Sequence, residues 1–178
     1  MKVAICVDGS NFYFSVRKAL GHKIDIEKFC KKLSGENELT KVGYYIAPVN
    51  RSYKEGYAKQ QKFFEKIKSV DNLKIILGRL EKHKRDGKTF YVEKATDINL
   101  ALDLVLDALD SKYDRAFLVS NDGDFSGAVS AVIERFNKEV IYVAIGNKKT
   151  ISYHLKKVAS STLKINEKFI EDIGLWED

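Results

Sequence analysis

The sequence has 178 residues, 44% of them hydrophobic, which is enough apolar material for one compact domain with a sizeable core. Lys and Arg outnumber Asp and Glu by 31 to 25, and the formal net charge of +6 favours a polyanionic partner over a cationic one. No apolar stretch approaches the ~20 residues of a membrane span, and no cleavable signal precedes the first apolar run. We therefore expect a soluble, cytoplasmic protein without a membrane partner.

Short β-branched runs alternate with longer helical patterns along the chain. The predicted strands are residues 2–7, 42–47, 73–77, 116–120 and 140–145. The predicted helices are residues 11–20, 26–33, 52–68, 97–109, 127–136 and 152–158. Residues 82–92 predict a basic β-hairpin that turns at Asp86-Gly87, because Asp-Gly readily adopts the positive φ of a tight turn. This alternation predicts an α/β fold with a mainly parallel sheet covered by helices on both faces, plus a hairpin insertion.

Cysteine and histidine, the usual ligands of zinc, are few and scattered. Two cysteines, Cys6 and Cys30, cannot form a structural zinc site by themselves, and we expect both to be buried thiols. His22, His83 and His154 have no ligand spacing, so we interpret them as surface or half-buried residues.

Carboxylates follow two predicted strands and begin one predicted helix. Asp8 follows the first strand, Asp122 and Asp124 follow a later strand, and Asp97 begins the most apolar helix. Open parallel sheets bind ligands beyond the carboxyl ends of their strands, so we expect these four side chains to share one edge. Converging carboxylates repel one another unless a cation neutralises them, and oxygen ligands suit Mg²⁺ or Mn²⁺. The pattern predicts a divalent-metal site, although each Asp alone is equally typical of a turn or a helix N-cap.

Three further carboxylates, Asp103, Asp107 and Asp110, share one face of the same predicted helix. We expect this face to be solvated. Asp103 lies six residues beyond Asp97, about 240° around the helix and ~9 Å along it, so we interpret it as a residue that supports the metal site rather than a ligand.

Several other activities lack their motifs. The sequence contains no glycine-rich dinucleotide fingerprint and no phosphate-binding loop, and Ser10 and Ser120 have no evident His partner for nucleophilic catalysis. Asp122-x-Asp124 is superficially similar to the Asp-x-Asp of haloacid-dehalogenase phosphohydrolases, but Ser126 stands where that class needs Thr or Val.

Three sequence blocks resemble the NYN domain of LabA-like proteins, a branch of the PIN-like nucleases. The blocks are Val-Asp-Gly-Ser-Asn-Phe at 7–12, Lys-Ala-Thr-Asp at 94–97 with Asp103 further on, and Val-Ser-Asn-Asp-Gly-Asp-Phe at 119–125. They come in the order and spacing of that family. The resemblance covers about residues 1–147 and implies a Rossmann-like α/β/α sandwich with a metal-dependent ribonuclease site. We expect residues 148–178 to form a C-terminal helical extension of the same single domain, 1–178.

The resemblance also assigns residues at the site. Its catalytic, metal-binding set consists of Asp8, Asp97, Asp122 and Asp124. Asn11 and Ser120 hold the geometry of that set, Asn11 either by orienting Asp8 or a metal-bound water or, alternatively, by capping the helix that begins there. Asn121 departs from the family, which often has Gly at this position.

Basic and acidic residues are segregated along the chain. Residues 51–94 contain thirteen Lys and Arg against six Asp and Glu, whereas residues 95–124 contain two against seven. A basic arm can hold a polyanion while a metal neutralises the reacting phosphate. The predicted RNA-binding residues of this arm are Lys82, Lys84, Arg85, Lys88 and Lys94. The alternative is a solvated edge kept basic to discourage strand pairing.

Aromatic residues accompany the basic ones and offer stacking surfaces for splayed bases. These are Tyr45, Tyr53, Tyr57, Phe90 and Tyr91. At their spacing each is more typical of a core residue than of a stacking residue. The leading hypothesis is a metal-dependent endoribonuclease acting on single-stranded or structured RNA. A catalytically weak RNA-binding regulatory module and a small-molecule phosphohydrolase are the alternatives, and the sequence leaves a homo-oligomer open.

Overall fold

The structure is a computed structural model that describes residues 1–21 and 24–173. The strands are β1 (Lys2–Asp8), β2 (Glu38–Ile46), β3 (Leu73–Leu77), β4 (Arg79–Arg85), β5 (Lys88–Lys94), β6 (Arg115–Val119), β7 (Glu139–Ile145) and β8 (Ser161–Ile165). The helices are α1 (Gly9–Leu20), α2 (Ile26–Ser34), α3 (Lys54–Ile67), α4 (Thr96–Leu109), α5 (Ser126–Phe136), α6 (Tyr153–Val158) and α7 (Glu167–Ile173). Every helix and strand predicted from the sequence is present, with boundaries moved by a few residues.

Six strands form one parallel sheet in the order β3-β2-β1-β6-β7-β8. The chain winds outward in both directions from β1, so the strand order reverses between β1 and β6. At such a reversal the connections leave the sheet on opposite faces and open a crevice at the carboxyl edge. The Rossmann-like α/β/α architecture predicted from the sequence is confirmed.

Alternating side chains of the sheet build two hydrophobic cores. Val3, Ile5 and Val7 of β1 face one core with α1, α2, α3 and α7, whereas Ala4 and Cys6 face the other with α4, α5 and α6. This alternation follows from the two-residue period of a strand. Both cysteine thiols are buried, as predicted.

The basic hairpin forms a separate two-stranded ribbon between β3 and α4. Asp86 and Gly87 have φ angles of 50° and 72°, the left-handed pair that a two-residue hairpin turn requires. The predicted hairpin is therefore confirmed. It is longer than predicted because pairing extends to Arg79 opposite Lys94.

The segment after residue 147 is not simply helical, which corrects the sequence prediction. Between α6 and α7 it contains β8, which pairs in parallel with β7 and adds an edge strand to the sheet. The strand was missed because its residues are mostly polar and only Leu163 and Ile165 turn inward. Residues 174–178 of the expected extension, and His22, lie outside the described residues. Across the described ranges, no helix has both the length and the apolar character needed to cross a membrane.

Candidate active site at the carboxyl edge of the sheet

Asp8 ends β1 and is held from two sides. Its Oδ1 accepts the backbone N–H of Asn11 at 3.0 Å, so Asp8 caps α1, and its Oδ2 accepts the hydroxyl of Ser120 at 2.8 Å. The carboxyl group is buried, at 5% exposure. Burial raises the pKa of Asp8 to about 6, and repulsion from Asp97 and Asp122 adds to it, although the two hydrogen bonds act in the opposite direction.

The loop after β6 is fixed by its own side chains. Ser120 Oγ, which donates to Asp8, also accepts the backbone N–H of Asp122 at 3.0 Å. Asp122 Oδ1 in turn accepts the backbone N–H of Asp124 at 2.9 Å and caps a short 3₁₀ turn. Asp8 and Asp122 therefore both act as helix caps, which was the alternative to a metal-binding role in the sequence analysis. Both residues also lie at the carboxyl edge of the sheet. Ser120 connects them, in agreement with the positioning role that the resemblance implies.

Asp97 lies in the first turn of α4, on the same side as the β6 loop. Partial burial raises the pKa of its carboxyl group, and repulsion from Asp122 and Asp124 adds to that increase. Its neighbour Thr96 is buried, and within the described part of the chain Thr96 Oγ1 is the one buried side-chain polar atom without a hydrogen-bond partner.

Gly78 sets how closely the hairpin approaches this helix start. A Cβ at this position would lie 2.4 Å from Thr96 Oγ1 and 2.7 Å from the carbonyl oxygen of Lys94. A side chain there would force the base of the hairpin away from α4. Gly78 is thus a site-shaping residue that the sequence motifs did not reveal.

The four predicted metal ligands therefore gather at one edge of the sheet, and their charges act on one another. Among the described residues none of them forms an ion pair with Lys or Arg. Equally, no group of three or more Asp, Glu, His or Cys side chains in the described ranges is arranged to hold one metal ion. The structure brings the acidic residues to a common edge, and their role as a ligand set stays a prediction.

The side chain of Asn11 makes contacts that the sequence did not suggest. Its Oδ1 accepts the backbone N–H of Asn121 at 3.0 Å and the hydroxyl of Ser15 at 3.2 Å. The side chain therefore neither orients Asp8 nor caps α1. It ties α1 to the loop that carries Asp122.

Asn121, the residue that departs from the family pattern, is a hydrogen-bonding centre. Its Nδ2 donates to the carbonyl oxygen of Ile145 at 2.6 Å, and its Oδ1 accepts the hydroxyl of Tyr142 at 2.6 Å. Beside this loop, a Cβ on Gly123 would lie 3.4 Å from Cδ2 of His154 at the start of α6. Sequence analysis gave no signal for these contacts because they join segments more than twenty residues apart.

Asp103 does not support the acidic edge, which corrects the sequence interpretation. Its Oδ2 accepts Lys41 Nζ at 2.8 Å and the hydroxyl of Tyr45 at 2.7 Å, on the side of α4 that faces β2. The predicted solvated face is also wrong for Asp107, which is buried and accepts Lys41 at 2.6 Å and Lys112 at 2.9 Å. Although burial raises the pKa of Asp107, the bonds from both lysines outweigh burial and hold it below the ordinary value.

The predicted RNA-binding residues divide between the two faces of the hairpin. The pairing places Lys82 and Lys84 on the face that also carries Tyr91 and Glu93, whereas Arg85, Lys88 and Lys94 lie on the opposite face with the stacked pair His83 and Phe90. Glu93 Oε2 accepts the hydroxyl of Ser10 at 3.2 Å, two residues from Asp8. The face with Lys82 and Lys84 is therefore the one that adjoins the acidic edge.

The candidate stacking residues also divide. Tyr45 is buried and bonded to Asp103, so it is a core residue, and Tyr57 is half-buried. Tyr53, Phe90 and Tyr91 are exposed. Two further exposed aromatics, Tyr13 and Phe14, lie in the middle of α1 and were not among the predicted stacking residues.

Comparisons with known proteins agree with this architecture. The family model of the NYN domain matches residues 2–166. A crystal structure of a protein of unknown function, VPA0982 from Vibrio parahaemolyticus, superposes with a TM-score of 0.74 at 29% identity, covering 95% of each chain. A search of curated proteins gave no match.

Proposed function

The chain belongs to the NYN domain family, and from that premise we propose that it is a metal-dependent endoribonuclease. The observation that carries the proposal is the set of four carboxylates at the switch point of the sheet, without a Lys or Arg partner among the described residues. The NYN family has a nuclease-type fold, and the three sequence blocks further support placing this chain in its LabA-like branch.

The chemistry of the donor set fits a divalent cation. Asp8 and Asp97 carry pKa values raised partly by neighbouring carboxylates, and a cation between such groups relieves both the repulsion and the cost of burial. Asp8, Asp97, Asp122 and Asp124 would hold Mg²⁺ or Mn²⁺, and the unpartnered hydroxyl of Thr96 offers a further oxygen beside Asp97. Such an ion activates water and stabilises negative charge on the phosphate.

The chain's own residues contribute position and charge. Ser120 fixes the rotamer of Asp8 while bonding the backbone of Asp122, so two of the proposed ligands move together. Asn11 accepts a hydrogen bond from the backbone of Asn121, and the Asn121 side chain donates to the carbonyl oxygen of Ile145. These two bonds hold the loop that carries Asp122 and Asp124 in place. Preorganisation of this kind keeps the acidic groups in place without help from substrate.

We assign RNA binding to the hairpin face beside the site. Lys82 and Lys84 can contact phosphates there, and exposed Tyr91 on the same face can stack on an unpaired base. Arg85, Lys88 and Lys94 would then serve a second surface or keep the outer face of the ribbon soluble.

The decisive experiment is cleavage of a labelled circular RNA with Mn²⁺, Mg²⁺ or EDTA, since a circle has no ends for an exonuclease. We expect nicking with either ion and none with EDTA. Asp122→Asn should slow nicking at least ~100-fold, because the amide keeps the cap to Asp124 but removes a charged ligand. Asp110→Asn, at the far end of α4, is the matched control and should nick like the wild type.

Three outcomes would contradict the proposal. RNA binding without nicking under any ion would identify a binding module instead. Equal nicking by wild type and Asp122→Asn would place the activity outside this site. Release of phosphate from small phosphomonoesters, without nicking, would favour the phosphohydrolase alternative.

A further inference from the structure

The outward face of α4 is apolar from end to end. Ile98, Leu102, Leu106 and Leu109 are 63%, 52%, 49% and 59% exposed. Their spacing of four, four and three residues places them along one side of the helix. We call these four residues the α4 ridge. It is about 17 Å long, from the helical rise of ~1.5 Å per residue.

Helix α4 also has a fully buried inner face. Leu100, Leu104 and Ala108 pack into the core beneath it. A surface helix ordinarily presents polar residues outward, and a helix that is apolar on both faces belongs in an interior. The carboxylates of α4 do not interrupt the α4 ridge, because Asp107 is buried and Asp103 is bonded to Lys41 and Tyr45 on the side that faces β2.

The exposed area of the ridge is in the range of functional surface patches. Its four side chains expose roughly 400 Å² of apolar surface, within the range of the largest patches on monomeric proteins, which are often functional. No described segment covers it.

We propose that the α4 ridge is a dimerisation surface and that its occupant is the same ridge of a second copy. A two-fold interface needs a surface that complements itself. A straight row of branched aliphatic side chains meets that need, because the side chains of one copy can pack into the grooves between those of the other copy. The absence of charge within the ridge matches the core of homodimer interfaces. Roughly 400 Å² per copy is about half of a standard interface, so the proposal requires that side chains around the ridge bury a similar area.

Sedimentation velocity of the full chain tests this, from about 1 to about 100 μM protein, because a dimer responds to concentration. We expect the wild type to form dimers. Leu102→Glu and Leu106→Lys should each weaken dimerisation about 30-fold or more, the effect typical of central interface residues. Both positions are exposed in one copy, so the variants should fold. Phe14→Glu, which charges an equally exposed apolar residue on α1, is the control and should remain dimeric.

Thermal unfolding provides a second readout. The melting temperature of the wild type and of Phe14→Glu should rise with protein concentration, whereas that of Leu102→Glu should not. A wild type that is monomeric throughout would overturn the proposal. So would a dimer that survives both ridge substitutions, since it would use another surface, or a monomer that binds lipid vesicles through the ridge.

Discussion

The two ends of α4 carry carboxylates in opposite electrostatic surroundings. Towards its C-terminal half, Asp103 and Asp107 are bonded to Lys41 and Lys112, and the pKa of Asp107 is lowered. At its N-terminus, partial burial and then repulsion from Asp122 and Asp124 raise the pKa of Asp97, and no Lys or Arg in the described ranges pairs with it. Lysines neutralise the acidic group of Asp103 and Asp107, whereas the acidic group around Asp97 has no such partner among the described residues. The first group therefore stabilises the fold, and the contrast agrees with our proposal that the second group binds a cation.

The largest effect should come from removing the negative charge of Asp8. Asp8→Asn should reduce RNA nicking at least ~100-fold because a proposed metal ligand is lost. Its stability at pH 7 should be unchanged or higher, since the substitution removes a buried charge whose pKa is raised to about 6. Nicking rates and urea unfolding without divalent ions measure both effects. A stability loss as large as the activity loss would make Asp8 a structural residue.

Lys41 should show the reverse pattern. Lys41→Met leaves the buried carboxylate of Asp107 with one lysine instead of two, and we expect a loss of about 2 kcal/mol in the free energy of unfolding. Nicking by the folded variant at saturating Mn²⁺ should match the wild type. Combining Lys41→Met with Asp107→Asn should recover part of the stability. Loss of nicking without loss of stability would reverse the roles assigned to the two ends.

The pH dependence of stability should differ between the two groups. A carboxyl group with a raised folded pKa favours the folded state as it takes up a proton, so Asp8 should increase stability by about 1 kcal/mol as pH falls from 7 to 5. The lowered pKa of Asp107 acts oppositely, because its stabilisation is lost only below pH 4. Urea unfolding in EDTA at pH 7 and 5 measures the difference. The gain at pH 5 should vanish in Asp8→Asn, and its persistence there would assign it to another group.

The smallest expected effect concerns the two faces of the hairpin. Lys82→Gln with Lys84→Gln should weaken RNA binding several-fold and reduce its salt slope by about 0.7 per lost single-strand contact. Arg85→Gln with Lys88→Gln makes the same change in charge on the opposite face and should have less effect. Fluorescence anisotropy at several salt concentrations measures both. Equal effects would show that only net charge matters.

The sequence predicts the parts of this molecule that depend on local pattern. Alternating periodicities predict the strands, the helices and the turn at Asp86-Gly87, and the position of each Asp after a strand predicts the acidic edge. Strand β8 escapes prediction because its pairing with β7, rather than its own composition, makes it a strand.

The other differences between the predicted and the observed site come from hydrogen bonds between residues that are far apart in sequence. Nothing near Asp103 indicates Lys41, 62 residues away, and so its face was predicted to be solvated. The bond from Ser120 to Asp8 spans 112 residues, and its role came from a motif resemblance rather than from spacing. Side-chain amides such as that of Asn11 have several possible partners, and only the fold selects among them.

Calorimetric titration of Mn²⁺ tests the central claim most directly, with Asp97→Asn and Asp103→Asn compared on the same helix. If the N-terminal carboxylates are kept for a cation, the wild type binds Mn²⁺, Asp97→Asn weakens binding at least ~10-fold, and Asp103→Asn changes it less than about twofold. An absence of Mn²⁺ binding, or equal losses in the two variants, would contradict the account.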